Sequence, residues 1–280
     1  MDKSRQHQRD RTGSAALPLR GKTVLVTRPR KQSGDITEQL EAVGATVVHC
    51  PTIEVLPPDS WAQLDGSIRR IKEYDWIVFT SANGVRFFFE RLGELEIEGT
   101  QALSGAVVCA IGPATARALQ KAGVVAQITA SDSKAEGALR AIIDHVGGEQ
   151  NVRGLQFLIP RAKVAREILP ASLQKLGARV DAVETYQTVK PEIARDSILR
   201  LFNETSIDVV TFTSSSTVSN FAALIGLTDL SDLLANVSIA CIGPITAETA
   251  ASYGLRNIIQ PKLYNAEALV ESIVMSIGQK

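Results

Sequence analysis

Short apolar runs alternate with amphipathic segments along most of this chain. Thr23 to Thr27 has no charged residue, which is typical of a buried strand in a parallel sheet, and Arg28-Pro29 ends the run. Between Gly34 and Val43 the apolar residues recur at helical spacing, and Gly44 follows as a helix C-cap. Thr46 to Val48 predicts the next strand.

The same alternation continues through the first half of the chain. The pattern predicts strands at Asp75–Thr80 and Ala106–Ile111, and helices at Trp61–Ile71, Val85–Leu92, Ala114–Lys121 and from the capping-box sequence Ser133-Lys134-Ala135-Glu136 to about His145. Strands that alternate with helices form parallel sheets with helices packed on them, so the sequence predicts an α/β fold.

The second half of the chain repeats the first. An offset of 133 residues places Gly154–Arg161 on Gly21–Arg28 and Asp208–Ser214 on Asp75–Ser81, and an offset of 131 places Ile242–Ala247 on Ile111–Ala116. A nearly constant offset of domain size indicates an internal duplication. We therefore predict two similar parallel-sheet α/β domains. The halves could be tandem or exchanged, and the sequence alone favours the tandem order.

Two matching extended segments stand out within this repeat. Glu184–Pro191 and Pro51–Pro58 both end in proline and are related by the same offset of 133 residues. We interpret them as two hinge strands that join the domains, with the active site in the cleft that they bridge. Tyr186 falls on Ile53, so the duplicated fold does not need a phenol there. A structural tyrosine is the usual case, but this difference favours a functional role for Tyr186.

Composition and charge narrow the possible partners. The chain has 280 residues, is 45% hydrophobic, and carries 30 basic and 30 acidic residues, so no global field attracts nucleic acid or a membrane. Its three cysteines and three histidines show no metal-site spacing, which favours buried reduced thiols in a cytoplasmic protein and disfavours a metal centre. Residues 1–18 are polar and predict a disordered tail, not a secretory signal, and no apolar window approaches the length of a membrane span.

Two Gly-Pro turns are the first candidates for ligand binding. In parallel sheets, ligands sit outside the carboxyl ends of the strands, where Gly112-Pro113-Ala114-Thr115 and Gly243-Pro244-Ile245-Thr246 are predicted to lie. Proline suits the first position of a helix, and the free amides that follow favour an anion. Helix initiation alone is the competing interpretation, and the matched pair of turns leaves both interpretations open.

Two serine-containing turns offer further amides and small hydroxyls to a carboxylate. They comprise Ser81, Ala82 and Asn83 in the first copy and Ser214 and Ser215 in the second. Helix capping alone is the alternative. No histidine lies nearby in sequence and no Gly-x-Ser-x-Gly elbow exists, so nucleophilic catalysis is disfavoured.

Arg28 and Arg161 stand at the same place in the two copies, just after the first predicted strand. Each could bind a carboxylate through two of its guanidinium nitrogens, although a solvated arginine at a strand end is the more common case. The sequence has neither a Gly-x-Gly-x-x-Gly fingerprint nor a Walker loop. An enzyme built this way would hold and shape its substrate through amides and hydroxyls.

Several of these motifs occur together in a known family. Thr80-Ser81-x-Asn83-Gly84-Val85, the two Ile-Gly-Pro-x-Thr-Ala turns, and Thr185-Tyr186-Gln187-Thr188 closing on a proline resemble uroporphyrinogen-III synthases, from about Leu19 to about Ile277. The resemblance implies two α/β domains joined by two antiparallel hinge strands, with one domain discontinuous. Carried over, residues 19–49 join 192–280, residues 59–183 form the other domain, and residues 50–58 and 184–191 are the hinges.

The resemblance also implies a reaction. A lyase of this family closes the linear tetrapyrrole hydroxymethylbilane to uroporphyrinogen III, with loss of water and inversion of ring D, and uses no cofactor or metal. Tyr186 then assists departure of the hydroxyl, and Thr115, Thr246 and Ser214 match residues of the family's cleft. The substrate carries eight carboxylates, which suits the turns and arginines described above. We expect a monomer that does not bind nucleic acid or a membrane.

Other interpretations remain open from the sequence. A two-domain binding or sensor protein also closes a cleft about hinge strands, but a signal peptide and a DNA-binding helix pair are both missing from the pattern. A nucleotide-dependent transferase or oxidoreductase would need a glycine-rich phosphate loop. A synthase relative without activity is the third alternative.

Overall fold

The structure, a computed structural model, describes residues 17–29, 33–130 and 135–278. The predicted tail therefore lies outside the described residues except for Leu17 and Pro18, and the first two residues of the predicted capping box, Ser133 and Lys134, also lie outside them. Among the described residues, no helix is long and apolar enough to cross a membrane.

The elements follow one another along the chain as the hydrophobic pattern predicts, with additional short ones. The strands are β1 (Thr23–Val26), β2 (Thr46–His49), β3 (Glu54–Leu56), β4 (Trp76–Phe79), β5 (Val107–Ile111), β6 (Ile128–Ala130), β7 (Gln156–Ala162), β8 (Arg179–Val189), β9 (Val209–Phe212), β10 (Ser238–Cys241) and β11 (Ile258–Ile259). The helices are α1 (Gly34–Ala42), α2 (Ala62–Arg69), α3 (Ala82–Glu94), α4 (Gly99–Ala102), α5 (Pro113–Lys121), α6 (Ala135–Val146), α7 (Ile168–Lys175), α8 (Arg195–Glu204), α9 (Ser215–Ile225), α10 (Pro244–Ser252) and α11 (Ala266–Ile277).

The chain forms two compact units, and one of them is discontinuous. Unit 1 contains the residues up to Glu54 and those from Lys190 onward, and unit 2 runs from Val55 to Val189. The sheet of unit 1 has the strand order β11-β10-β9-β1-β2, so strands from both ends of the chain hydrogen-bond to one another. The tandem order that the sequence alone favours is therefore wrong, and the exchanged order is the observed one.

Unit 1 is a parallel sheet covered on both faces. The register pairs β1 with β2 on one side and with β9 on the other, always in parallel. Val24 and Val26 pack into the core on one face, with Ile36 and Leu40 of α1, whereas Leu25 packs into the core on the other face. A strand buried on both sides needs apolar residues at every position, which explains the apolar run that identified β1 in the sequence.

Unit 2 repeats this construction with the order β3-β8-β7-β4-β5-β6. Ile77 and Phe79 of β4 pack on one face, and Trp76 and Val78 pack on the other. The described strand pairs of β4, β5, β6, β7 and β8 are parallel. The carboxyl ends of these neighbouring strands therefore meet at one edge of the sheet, where ligands bind in such folds.

The segment predicted as a separate hinge strand at residues 184–191 is mostly part of a longer strand. β8 continues unbroken from Arg179 to Val189 and lies between β7 and β3 in the sheet. Its register shifts near its end, because Arg161 pairs with Glu184 while the next residue, Ala162, pairs with Tyr186. Thr185 is thus the extra residue of a β-bulge. Bulges of this kind redirect the side chains that follow them.

Candidate active site

Ser81 is the N-cap of helix α3 and lies at the edge of the unit 2 sheet where the parallel strands end. Its backbone is extended (φ −159°, ψ 155°), and its hydroxyl accepts a hydrogen bond from the Gly84 amide at 3.0 Å. The capping role proposed from the sequence is therefore confirmed. The sequence suggested that Ala82 and Asn83 are loop residues, but they form the first turn of α3. The helix starts earlier than predicted because the cap precedes its apolar stripe.

Glycine at position 84 lets α3 approach the sheet closely. A Cβ atom built on Gly84 would lie 3.2 Å from the Pro160 carbonyl oxygen of β7 and 3.4 Å from the Ser81 hydroxyl oxygen. A larger residue would have to displace the strand backbone or the cap. The glycine thus brings the beginning of α3, with Ser81, against the end of the strands.

Tyr186 lies at this edge, directly after the bulge in β8. Its hydroxyl is 2.9 Å from the Ser81 hydroxyl, and only 7% of the residue is exposed. Its ring stacks on Phe87 of α3, with 5.9 Å between the ring centroids and 7° between the planes. Thr185 stabilises the bulge, because its buried hydroxyl donates to the Arg161 carbonyl at 3.1 Å. The sequence singled out Tyr186 because the repeat does not share it, but it gave no indication of the contacts that the residue makes.

Phe87 was missed as a member of this group, whereas Arg86 could be named from the sequence as a weaker carboxylate-binding candidate. The Arg86 guanidinium carbon lies 3.9 Å from the centroid of the Phe87 ring, and its nitrogen donates to Glu90 at 3.0 Å. From the sequence, Phe87 is one apolar residue of an amphipathic helix. Only its position one and a half turns after the cap, on the helix that supplies Ser81, could have suggested it.

Gly112 and Thr115 form the second turn of this edge. Gly112 has φ +81° and ψ 159°, a conformation open almost only to glycine, and Pro113 follows at the first position of α5. Thr115 is buried, with 2% of its surface exposed. The expected helix start is confirmed. Because β4 and β5 are parallel neighbours, this turn and the Ser81 turn lie at the same edge of the sheet.

Arg161 does not stand where the sequence placed it. It lies inside β7, which continues to Ala162, and not after the strand. Its guanidinium donates to the Glu167 carboxylate at 2.5 Å, and this hydrogen bond is the main cause that lowers the pKa of Glu167. Binding of a substrate carboxylate would have to compete with Glu167, so Arg161 is a weaker candidate than its position in the repeat suggested.

Ser214 and Ser215 begin helix α9 at the strand-end edge of unit 1. Ser214 forms a full capping box with Thr217, whose amide lies 3.2 Å from the Ser214 hydroxyl. Ser215 donates its hydroxyl to the Ile245 carbonyl at 3.2 Å, which joins the first turns of α9 and α10. The matching residue in unit 2 is Ala82, which has no hydroxyl, so the two copies differ here as the sequence indicated.

The second Gly-Pro turn has a different backbone from the first. Gly243 has φ −171° and ψ 175°, which is ordinary extended backbone, and Pro244 begins α10. Thr246 is 5% exposed, like its counterpart in unit 2. A Cβ atom built on Gly243 would meet the ring of Tyr264 at 3.4 Å, and Tyr264 and Ile245 are 67% and 72% exposed. Sequence reasoning missed these two exposed apolar residues beside the turn, because exposure does not show in the hydrophobic pattern.

Arg28 follows β1 as expected and is partly buried at the same edge of unit 1. Burial lowers the pKa of its guanidinium, and the nearby charge of Asp35 opposes that shift. The preceding residue, Thr27, fixes the strand end by donating its hydroxyl to the Thr211 carbonyl of β9 at 2.6 Å. A partly desolvated cation beside a strand end is suited to an anion.

The three cysteines, Cys50, Cys109 and Cys241, are free and buried. Burial raises the pKa of Cys50 to about 11 and the pKa values of Cys109 and Cys241 to about 12. Within residues 17–29, 33–130 and 135–278, no group of three or more His, Cys, Asp or Glu side chains is placed to hold a metal ion. The thiols therefore act as small core residues.

Comparison with known proteins matches most of this chain to one family. The family model for uroporphyrinogen-III synthase HemD matches residues 34–271 of this chain. The chain belongs to the uroporphyrinogen-III synthase family. Most of both copies of the repeat, and every candidate residue above except Arg28, fall within the matched range.

Relatives in this synthase family align with about nine tenths of the chain. The uroporphyrinogen-III synthase of Synechococcus elongatus is 34% identical over 266 residues, which cover 92% of this chain and 97% of that protein. The synthase of Chlorobaculum parvum is 29% identical over 257 residues, covering 91% and 99%. A solved structure of a mutant uroporphyrinogen III synthase from Thermus thermophilus matches with a TM-score of 0.56 at 18% identity, covering 90% of this chain and 97% of that one. At that identity the structural match supports the fold.

Proposed function

We propose that this chain is the lyase that cyclises hydroxymethylbilane to uroporphyrinogen III, with loss of water and inversion of ring D, in the biosynthesis of porphyrins and haem. The observation that supports this most strongly is the 34% identity to the Synechococcus elongatus synthase along 92% of the chain. The α/β fold agrees with that assignment. A binding protein without turnover is the alternative, and the comparisons do not favour it.

The strand-end turns of each unit are assigned as elements that bind substrate carboxylates. The substrate is an octacarboxylate. The backbone amides at the start of α3, α5, α9 and α10 lie at helix N-termini, where they can donate hydrogen bonds to anions. Ser215 is a weaker ligand than the sequence suggested, since its hydroxyl already donates to the Ile245 carbonyl. Arg28 supplies a cation in unit 1, and the amides and hydroxyls supply neutral donors. This set lets a protein with no net charge bind a highly charged ligand.

Exposed apolar side chains beside the turn that begins α10 complement these carboxylate-binding groups. The Tyr264 ring lies beside Gly243, where an added Cβ atom would meet it at 3.4 Å, and Ile245 follows Pro244 in the same turn. A tetrapyrrole presents flat apolar rings between its carboxylates, so we assign Tyr264 and Ile245 to contacts with a pyrrole ring. Aromatic side chains supply large contact area at low entropic cost.

Tyr186 is proposed as the proton donor of the first chemical step. Its hydroxyl gives its proton to the departing hydroxyl of ring A, so that the C–O bond breaks and water leaves. The substituted carbon of ring D attacks the resulting electrophile to give a spiro intermediate. The bond from that carbon to its original bridging carbon then breaks, and the macrocycle closes with ring D inverted. The proton lost when the macrocycle regains its aromatic pyrroles returns to the tyrosine, which balances the reaction. Positioned proton donors contribute about 100- to 10,000-fold in general, and an assisting donor contributes less.

The cellular compartment and the oligomeric state of the protein are also proposals. Three free buried cysteines agree with a reducing compartment, so we infer a cytoplasmic enzyme. We further propose that it acts as a monomer. Light scattering at the concentration of the assay tests that assignment, and a mass near twice 30.1 kDa would contradict it.

The activity is tested by a coupled assay. Hydroxymethylbilane is generated in the same vessel, the protein is added, and the oxidised products are separated into type I and type III isomers. A predominance of type III isomer is expected, because the unassisted substrate closes to type I. If a folded protein yields only the type I isomer, the proposed activity is wrong, and binding of the product would then test the alternative.

A further inference from the structure

We propose that Ser81 is a positioning residue that accepts a hydrogen bond from helix α3 and donates one to Tyr186, so that the phenolic proton stays available for the substrate. This inference deepens the proposed function and rests on it. It assigns to Ser81 a role through Tyr186, in place of the direct contact with a substrate carboxylate that the sequence suggested.

The donors and acceptors at Ser81 can be counted. A serine hydroxyl has one proton to donate and two lone pairs that accept. One lone pair accepts from the Gly84 amide at 3.0 Å, and the Tyr186 hydroxyl oxygen lies 2.9 Å away on another side. If Tyr186 donated to Ser81, its proton would be occupied in the fold. If Ser81 donates, the phenolic proton is free to leave.

The helix favours the second direction. The Gly84 amide belongs to the first turn of α3, where unpaired amides and the helix dipole place partial positive charge. An amide that donates to a hydroxyl oxygen makes that hydroxyl a better donor, since hydrogen bonds in a chain polarise one another. The series of hydrogen bonds therefore runs from the Gly84 amide through the Ser81 hydroxyl to the Tyr186 hydroxyl, and it ends at the departing hydroxyl of the substrate. After transfer, the Ser81 proton stabilises the phenolate.

Comparison of the two copies shows that capping alone does not require this contact. Ser214 occupies the matching position and caps α9, but its hydroxyl lies 2.9 Å from that of Ser216 in its own helix. The residue that matches Tyr186 is Ile53, which has no hydroxyl. The fold thus forms the cap in both copies, and only the first copy connects it to a phenol on a strand.

Two other features hold Tyr186 at this distance. The bulge at Thr185 places Tyr186 opposite Ala162, where an unbroken register would have placed Thr185. Phe87, six residues beyond Ser81, stacks on the Tyr186 ring at 5.9 Å. The same helix therefore supplies both the hydrogen bond and the ring contact, which fixes the direction of the phenol.

The experiment is a double-mutant cycle on isomer III formation. We measure kcat and KM for the wild type, Ser81→Ala, Tyr186→Phe and the double variant. Ser81→Ala is expected to lower kcat about 5- to 10-fold in the wild-type background, as loss of one hydrogen bond does, and less than about 2-fold in the Tyr186→Phe background. KM is expected to change less than about 2-fold, since Ser81 acts through Tyr186.

Capping is separated from positioning by two further variants. Ser81→Gly removes the hydroxyl but keeps most of the stability of the helix start, because glycine is tolerated at a cap. It is expected to lower kcat as much as Ser81→Ala while its melting temperature stays near that of the wild type. Ser81→Thr retains a hydroxyl and is expected to restore at least half of kcat.

Three results would overturn the inference. Equal losses of kcat in the two backgrounds would mean that Ser81 does not act through the Tyr186 hydroxyl. A rise in KM with unchanged kcat would mean that it binds substrate directly. A Ser81→Gly variant with full activity would mean that the only role of Ser81 is to cap the helix. A wild-type protein that yields only type I isomer would refute the proposed function itself, and the inference would fail with it.

Discussion

Gly112 and Gly243 stand at matching positions of the two copies, yet their backbones differ, with φ +81° at Gly112 and φ −171° at Gly243. Only the first conformation excludes other residues, at a cost of about 1–3 kcal/mol. We therefore expect Gly112→Ala to lower the free energy of unfolding by that amount and Gly243→Ala to change it much less. Melting temperatures of the two variants check this, and equal losses would contradict the difference between the turns.

Replacement of Tyr186 by phenylalanine tests its chemical role. The variant keeps the ring contact with Phe87 and loses only the hydroxyl, so the fold should be retained. We expect turnover to fall about 10-fold or more, below the roughly 100-fold minimum of a full general acid, because Tyr186 is proposed to assist departure of the hydroxyl. Isomer separation after a timed reaction measures it. Phe87→Leu keeps the Tyr186 hydroxyl and serves as the comparison, with a smaller loss expected.

Arg28 and Arg161 are expected to differ in their effects on substrate affinity. Arg28→Ala should raise KM about 10-fold, because a hydrogen bond to a charged group is worth about 1.5–3 kcal/mol. Arg161 already binds Glu167 at 2.5 Å, so Arg161→Ala should raise KM less. Arg200 is an exposed arginine on α8 and provides the matched control for loss of a positive charge. An unchanged KM in Arg28→Ala would remove Arg28 from the binding residues.

The ion pair between α3 and α2 predicts a pH-dependent stability. Arg91 donates to both carboxylate oxygens of Asp65, at 2.8 and 2.7 Å, and these hydrogen bonds lower the pKa of Asp65. A lowered folded-state pKa contributes stability that is present above the unfolded value of about 3.9 and is lost as the pH falls through the folded value.

We expect Asp65→Asn to lower the free energy of unfolding by about 1–2 kcal/mol at pH 7, a figure reduced for partial exposure. The difference from the wild type should shrink as the pH falls below about 4. Melting curves at several pH values measure it. Asp59→Asn, which removes an exposed partner of Lys163, is the control and should change the melting temperature less. A difference that grows toward acid pH would contradict the assignment.

The cysteines are expected to be unreactive until the protein unfolds. Burial raises the pKa of Cys50 to about 11 and that of Cys109 to about 12, so the reactive thiolate is scarce at pH 8. A chromogenic disulfide reagent should therefore detect almost no thiol in the native protein and all three in denaturant. Rapid reaction of one thiol in the native state would show that its surroundings open.

The sequence by itself determined the classes of elements and the family. Strands buried on both faces need apolar runs, and helices on a sheet need an apolar stripe, so β1, β4 and α1 could be located from the pattern alone. The duplication was visible because both copies have the same core and the same Gly-Pro helix starts. Tyr186 was identified because its counterpart, Ile53, is apolar.

Only the tertiary structure decided which strands share a sheet and which side chains meet. β1 pairs with β9, for example Val24 with Val209, and local patterns carry no information about pairing between residues so far apart in sequence. The contact between Ser81 and Tyr186 depends on a bulge at Thr185, a close approach at Gly84 and a stacked ring at Phe87. Each of these joins residues distant in sequence through packing, and packing is a property of the folded chain.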